Sequence, residues 1–233
     1  MTASASKTDL HVHSRHSTRA ADWVLRRLDF PASSSDPLQT YHRLRAAGMQ
    51  FVTLTDHNTI GGCLEIAHLP GVILGEEVTV GFPDEECKVH VLVWGLTELQ
   101  HREIQALRDN VFDLQKYLFQ ESLAHAVAHP LHSPNDKLTP LHLQKLTLIF
   151  RHFEGINGRY HARVSDAARY ALGALTPRHI EVFAARTGLV PTHDEAWRKV
   201  FVGGSDDHGA MHPARAFTQT ERVETAGEFL SRV

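Results

Sequence analysis

Asp9-Leu10-His11-Val12-His13 begins a series of short apolar runs whose ends carry histidines and carboxylates. Two histidines at i and i+2 of a strand point to one face, so both imidazoles can grip a single metal ion. The same punctuation recurs in Thr55-Asp56-His57-Asn58, Gly75-Glu76-Glu77-Val78, Lys88-Val89-His90-Val91, Ala128-His129-Pro130 and Gly204-Ser205-Asp206-Asp207-His208. Imidazole mixed with carboxylate suits zinc, manganese or iron, whereas calcium and magnesium cages are built mostly of oxygen. The pattern reads as a polynuclear metal site. One carboxylate can bridge two ions about 3.5–4 Å apart; Glu77 is the candidate bridge, with Glu76 as its alternative, and Asp56 reads as an orienting partner of His57.

The elements that must position these residues alternate between strand-like and helix-like runs, which favours a parallel α/β arrangement. Seven strands are expected: Asp9–His13, Phe51–Thr55, Val72–Glu77, Val89–Trp94, Ala124–Ala128, Phe153–Ile156 and Val200–Gly203. Rigid strands of an α/β barrel aim residues from distant sequence positions at one rim, and every motif above sits at such an end or beside it. Phe82-Pro83-Asp84-Glu85-Glu86 is turn material with no room for a crossover helix, so the third and fourth strands form a hairpin that brings Glu77 to His90. A helix from Gln39 to Gly48 starts with Asp36 as cap and Pro37 in its first turn, with Leu38, Tyr41 and Leu44 as its apolar stripe. A long helix is expected from Glu98 to Phe119, carrying Ile104, Leu107, Val111, Leu114 and Leu118 at spacings of three and four. Between Thr139 and Leu189 two or three further helices follow, with Thr176-Pro177 as a start and Gly188 as a stop. Glu224–Val233 reads as a last helix.

Length and composition frame this reading. At 233 residues the chain can bury a sizeable core, and one α/β barrel would use all of it. A hydrophobic content of 42% and a charged content of 22% are ordinary for a globular protein. The net charge of −3, with no basic stripe, argues against a grip on long nucleic acid. Cys63 and Cys87 fit neither a disulfide framework nor a Cys-x-x-Cys zinc site, which points to a reducing compartment. No run approaches the ~18 apolar residues of a membrane span, and the first residues lack a signal-peptide core, so the expected location is cytoplasmic. The composition is unusual in its 18 histidines. Those without a partner motif, such as His42, His101, His142 and His179, take surface or capping roles by default. Among them His125, four residues before His129, is the reserve ligand.

Taken together in this order, the six motifs resemble the polymerase and histidinol phosphatase (PHP) family of metal-dependent phosphoesterases over about Asp9 to His208. The resemblance implies one PHP domain over residues 1–233, a distorted seven-stranded TIM-like barrel, with the helical segment 139–189 near the pocket. It also implies two or three divalent ions. His11, His13, Glu77 and Asp206 would hold one and Glu77, His90 and His129 a second, while His57 and His208 belong to a third position. Family members add one more ligand to that third position shortly after the His-x-His pair, and here only His16 stands as a substitute, at a different spacing. Glu77, Asp206 and His208 would serve catalysis around a hydroxide held between the first two ions. Arg15, Arg19, Lys88, Arg159 and Arg215 are candidate phosphate contacts, and Asn157 is expected to face the cleft.

Three activities fit. The first is a phosphoesterase acting on a small phosphorylated metabolite, nucleotide or short oligonucleotide. The second is a PHP domain fused to, or working beside, a larger enzyme as a processing or interaction module. The third is a C–N hydrolase, although no lysine lies at a candidate strand end to bridge ions as a carbamate.

Overall fold

The computed structural model describes residues 5–17 and 33–233. In chain order the elements are β1 (Ser6–Thr8), α1 (Pro37–Ala46), β2 (Val52–Leu54), α2 (Gly61–Ile66), β3 (Val72–Gly81), β4 (Lys88–Trp94), α3 (Glu98–Ala106), α4 (Val111–Gln120), β5 (Ala124–Val127), α5 (Pro140–Ile149), β6 (His152–Asn157), α6 (Ala162–Gly173), α7 (Pro177–Thr187), β7 (Val200–Gly204), β8 (Thr218–Thr220) and α8 (Ala226–Ser231). Strands β2 to β7 form a curled six-stranded sheet in sequence order. Its pairs are parallel except on either side of β4, which runs against both β3 and β5. The expected β3–β4 hairpin is present. Its register sets Thr79 opposite His90 and Glu77 opposite Leu92.

The expected first strand is where the fold departs from a closed seven-stranded barrel. The regular strand is Ser6–Thr8, which pairs with β8 in a separate two-stranded ribbon. Residues 9–13 follow it and lie between the two edges of the main sheet without becoming a ladder. On one side Val12 bridges Asp207, with His13 N donating to Asp207 O at 3.0 Å and Asp206 N to His11 O at 2.6 Å. On the other, Thr55 N donates to Val12 O at 2.8 Å. The cause is local chemistry: the Asp9 carboxylate accepts from the amides of His11 and Ser205, and Thr55 Oγ1 accepts from Val12 N. Side-chain acceptors there replace strand partners.

The helices follow their caps. Asp36 accepts from Gln39 N and starts α1, which buries Tyr41 and Leu44 but leaves Leu38 44% exposed, outside the stripe. The single long helix expected from Glu98 to Phe119 is two. Asn110 adopts an extended backbone and accepts from Phe112 N, starting α4 afresh, because a short polar side chain that can bond its own backbone favours a cap over a helix interior. Thr176 caps α7 and Gly188 ends it in a left-handed conformation. His142 and His179 bond back to Thr139 and Thr176 at the starts of α5 and α7, the capping role expected of histidines without a partner motif, and His142 Nε2 also meets the Glu85 carboxylate. Among the described residues no helix is long and apolar enough to cross a membrane.

Period-two alternation sorts the sheet's residues. Val78, Val91, Val93, Val127 and Phe153 pack outward against Ile104, Leu114 and Leu146 of the helices. Inward, Leu92, Trp94, Ala126 and Val202 join Leu10 and Phe229 in an apolar floor, with Phe229 of α8 against Phe51. Trp94 also donates its indole Nε1–H to Leu10 O at 3.0 Å, tying the floor to the irregular 9–13 segment. Trp94→Phe strands that buried carbonyl. It is expected to lower unfolding free energy by about 1–3 kcal/mol, seen as a lower denaturant midpoint with an unchanged slope.

Candidate metal centre

Above the apolar floor, the inward positions become polar. Glu77 and His90 sit on the inner face of the β3–β4 hairpin, and Glu154 shares that face from β6, in register with Val202. His11, His13, Glu77 and Glu154 are at most 2% exposed, and His90, His129 and Asp206 are also buried. His57 follows β2 and is bridged to Glu77 by backbone hydrogen bonds, Glu77 N donating to Asp56 O at 3.2 Å and Asn58 N to Glu77 O at 2.9 Å.

Two ligands reach the centre only because the backbone leaves the strand path. Regular alternation would put His129 on the same face as His125, which lies outside against Phe150 and bonds Leu123 O. His129 instead has φ +25°, and its ring turns inward. Asp206 has φ +50°. Such non-glycine left-handed backbone carries a cost of order 1–3 kcal/mol and concentrates at functional sites. Gly204 serves close approach: a Cβ there would come within 2.5 Å of the His11 amide nitrogen, so only glycine lets residues 9–13 lie against β7.

Glu77 is the hub. Its Oε1 lies 2.7 Å from His90 Nδ1 and 3.1 Å from His129 Nε2. Its Oε2 lies 2.9 Å from His57 Nδ1, 3.3 Å from His13 Nε2 and 3.4 Å from His11 Nε2. Asp206 Oδ1 stands 3.5 Å from His13 Nε2, 3.6 Å from His11 Nε2 and 3.3 Å from His208 Nδ1. His208 stacks on His13 with ring centroids 4.0 Å apart. All eight expected ligands therefore converge.

Three groups of donors are tight enough to hold an ion: His11, His13 and Asp206; His57, Glu77 and His90; and His13, His57 and His208. The donor set fits a divalent cation on a second observation. His57 Nδ1 and Glu77 Oε2, 2.9 Å apart, are buried and neither makes a well-formed hydrogen bond, an arrangement that is costly unless a cation between them completes both.

Electrostatics agree with the geometry. Burial opposes charge on Glu77, but His90, His57 and His11 outweigh it and hold the carboxyl well below its usual range; His11 and His13 do the same for Asp206. Burial likewise opposes charge on His11, yet Glu154, Asp206 and Glu77 raise its pKa well above the ordinary value. Hydrogen bonds with carboxylates overcome burial to raise His13 and His129 as well. Burial wins at His90, lowered to about 4, and at His208, lowered to about 2 with help from His13.

Several expected site residues lie elsewhere. His16 pairs with Glu65 at 3.0 Å and faces α2, so it supplies no ligand. Arg15 is pinned between Asp36 and Glu65 on the surface. Arg19 falls outside the described residues. Lys88 and Arg215 are exposed, at the start of β4 and in the segment after β7. Asp56 accepts from Ser14 N, Ser14 Oγ and Ser17 Oγ, not from His57, and so braces the loop after the His-x-His pair. Asn157 is buried, donating to Glu154 Oε2 and Asp206 Oδ2 at 2.9 and 3.1 Å, and does not face open cleft. Arg159 is at the rim, half exposed, with Nη1 3.2 Å from His208 Nδ1 and 3.7 Å from Asp206 Oδ1. His101, expected in solvent, bonds Glu76 at 3.0 Å on the outer face. Sequence reasoning missed Glu154 and Ser17, whose Oγ lies 3.0 Å from His13 Nδ1. For Glu154 a signal existed, an acidic residue in the middle of an apolar strand.

With this geometry in view, comparison with known proteins places the fold. No family model matches the chain. An uncharacterised protein of Methanocaldococcus jannaschii, MJ1587, is 36% identical over 75 residues, 32% of this chain and 42% of that protein. The chain thus matches less than half the length of that curated relative. An amidohydrolase from Chromobacterium violaceum, solved with bound sulfate and no metal, aligns over 96% of this chain and 95% of its own, with a TM-score of 0.55 and 15% identity. PsfC from Pseudomonas syringae aligns over 99% and 89%, with a TM-score of 0.53 and 15% identity. A candidate metal-dependent phosphoesterase from Bifidobacterium adolescentis aligns over 97% and 94% at 14% identity, but its TM-score of 0.48 is too low to bear on the fold. The chain shares its fold with the Chromobacterium and Pseudomonas proteins.

Protons and a divalent cation would compete for this cluster. His11, His13 and His129 are raised above 6.5, so in the metal-free chain their stabilising protonation is fully present below that pH and is lost as pH rises through the raised values. Loading a divalent ion near pH 7 should release protons, and affinity should rise with pH. Calorimetric titration of the chelated protein with Mn²⁺ in two buffers of different ionisation enthalpy measures this. Identical heats in both would contradict it.

Proposed function

We propose that this chain is a metal-dependent phosphoesterase of PHP type, a single TIM-like domain that hydrolyses a phosphate ester of a small metabolite, nucleotide or short oligonucleotide. The observation that carries the reading is the division of Glu77: one oxygen faces His90 and His129, the other His57, His13 and His11. That is the arrangement a carboxylate needs to bridge two ions.

Two ions, not three, is the stoichiometry that the donor groups favour. The group of His11, His13 and Asp206 and the group of His57, Glu77 and His90 share no residue, so both can fill together. The third group borrows His13 and His57 from them, and His16, the expected extra ligand, is paired with Glu65. His129 would join the second group, its Nε2 lying 3.1 Å from the Glu77 oxygen that also faces His90, while His57 approaches the other oxygen. Zinc, manganese and iron all accept such donors. Bound there, the ions would supply an acidified water and neutralise phosphate oxygens.

The remaining roles belong to the chain. Glu77 and Asp206 hold negative charge at the centre, and His208, neutral and stacked on His13, closes one side. Among the described residues Arg159 is the only arginine or lysine within 4 Å of Asp206, a fit for a phosphate oxygen at the mouth. The substrate in this reading is a small phosphorylated molecule, without long nucleic acid or membrane, and the setting is cytoplasmic. Action beside a fused or associated enzyme domain is compatible with it. A second reading, C–N bond hydrolysis, draws on the fold shared with the Chromobacterium amidohydrolase.

Elemental analysis of the purified protein should find two ions per chain, and chelation should abolish turnover of a chromogenic phosphate ester while an anilide is not cleaved. Anilide turnover without phosphate-ester turnover would select the second reading. Glu77→Gln should lose metal and reduce turnover about 100-fold or more. Glu76→Gln should do neither, because the Glu76 carboxylate bonds His101 and Gln105 on the far face of β3.

A further inference from the structure

Glu154 has no place among the histidine and carboxylate motifs, yet it touches three parts of the centre at once. Its side chain is fully buried. Three N–H donors converge on its two oxygens. His11 Nδ1 lies 2.9 Å from Oε1, while the His129 backbone amide and Asn157 Nδ2 donate to Oε2 at 2.7 and 2.9 Å. Asn157 Nδ2 is also 3.1 Å from Asp206 Oδ2.

We infer that Glu154, acting with Asn157, is the positioning residue of the centre. It keeps a proton on His11 Nδ1, so that when the ring is neutral, as a metal ligand must be, the Nε2 lone pair is the one directed towards Glu77 and Asp206, and it anchors His129 where the backbone turns inward. The inference rests on the metal-centre reading above. Imidazole presents one ring nitrogen to a metal when the other is held by an acceptor, and a carboxylate is the strongest such acceptor. The Nε2 atom freed in this way is the one 3.4 Å from Glu77 Oε2 and 3.6 Å from Asp206 Oδ1.

The three donors also explain why the residue is Glu and not Gln. A carboxylate accepts at both oxygens, whereas an amide of the same shape has one accepting oxygen and one donating nitrogen. If the amide nitrogen faced His11, Nδ1 would have to accept and the ring proton would move to Nε2, removing the lone pair that binds metal. In the opposite orientation the amide would confront the His129 amide and Asn157, donor against donor. Glu154 contacts none of the reacting atoms, so its effect appears first in ion binding.

The test compares the wild-type protein, Glu154→Gln and Glu154→Asp after chelation. Zn²⁺ affinity is read by competition with a chromogenic chelator, and ligand geometry by the visible spectrum of the Co²⁺-loaded protein. Glu154→Gln should weaken one of the two ions about 10–100-fold and alter the Co²⁺ spectrum, and Glu154→Asp should recover most of both. Asn157→Ala, which removes the donor shared by Glu154 and Asp206 and the acceptor of the Arg159 and Tyr160 amides, should weaken ion binding in the same direction and serves if Glu154→Gln does not fold. Wild-type affinity and spectrum in Glu154→Gln, or in Asn157→Ala where that variant stands in, would overturn the inference and leave the metal centre intact. A loss that Glu154→Asp fails to recover would also overturn it, reducing Glu154 to packing. A wild-type protein that binds no ion would overturn the metal centre itself, and this inference with it.

Discussion

A fully buried carboxylate has to be compensated, and in this protein that constraint organises the rest. Glu77 has lost its water, and burial alone would drive it to protonate. Five imidazole nitrogens within 3.4 Å reverse that preference. They come from both sides of the sheet opening, from the β4 strand opposite, and from the turn after β5. No two-element contact could gather them, so the charge at Glu77 requires the whole curled sheet.

The unusual features of the fold follow from delivering those nitrogens. Reversing β4 sets His90 beside Glu77 with a short hairpin, where a parallel crossover would need a helix between them. Residues 9–13 surrender regular strand pairing so that His11 and His13 reach the hub while Asp9 gathers the neighbouring amides. Left-handed backbone at His129 and Asp206 turns side chains that the pleat would otherwise misdirect. The apolar floor of Leu92, Trp94, Val202 and Phe229 supports them from below, and its close packing keeps small shifts from being absorbed silently.

A wider ring of polar residues maintains the geometry. Glu154 and Asn157 link His11, His129 and Asp206, while Asp56 with Ser14 and Ser17 braces the loop behind His13. Ser17 completes this second ring by donating its hydroxyl proton to Asp56 and accepting from His13 Nδ1–H and the His57 amide. These partners stand on the side away from the centre and limit the orientations the ligands can take. Arg15 and His16 follow the His-x-His pair after Ser14 but turn outward to Asp36 and Glu65, because acidic neighbours beside α1 and on α2 satisfy them there.

Much of this was legible in the sequence because it is written in local chemistry. Alternation marked five of the main-sheet strands near their true positions, Asp36, Thr176 and Gly188 marked helix ends, and the short polar turn at Phe82–Glu86 required a hairpin. Histidines and acids at the expected strand ends named all eight residues of the cluster, since a ligand must be of the right type whatever its neighbours, although Glu77 lies inside β3, which runs four residues past its expected end to Gly81. The rest depended on contacts between distant segments. Whether residues 9–13 form a ladder is settled by Asp9 and Thr55 competing for their amides. That Asn110 interrupts a continuous apolar stripe is a balance between capping and propagation, and periodicity does not register it. Which arginine reaches the mouth depends on which acids hold the others. Residue type and spacing by themselves determined that the chain carries a histidine–carboxylate centre on an α/β sheet. Only the tertiary structure decided that Glu77 is its hub, that His129 turns inward and that Glu154 stands behind His11, because long-range hydrogen bonds and burial fix the direction of a side chain and sequence periodicity does not.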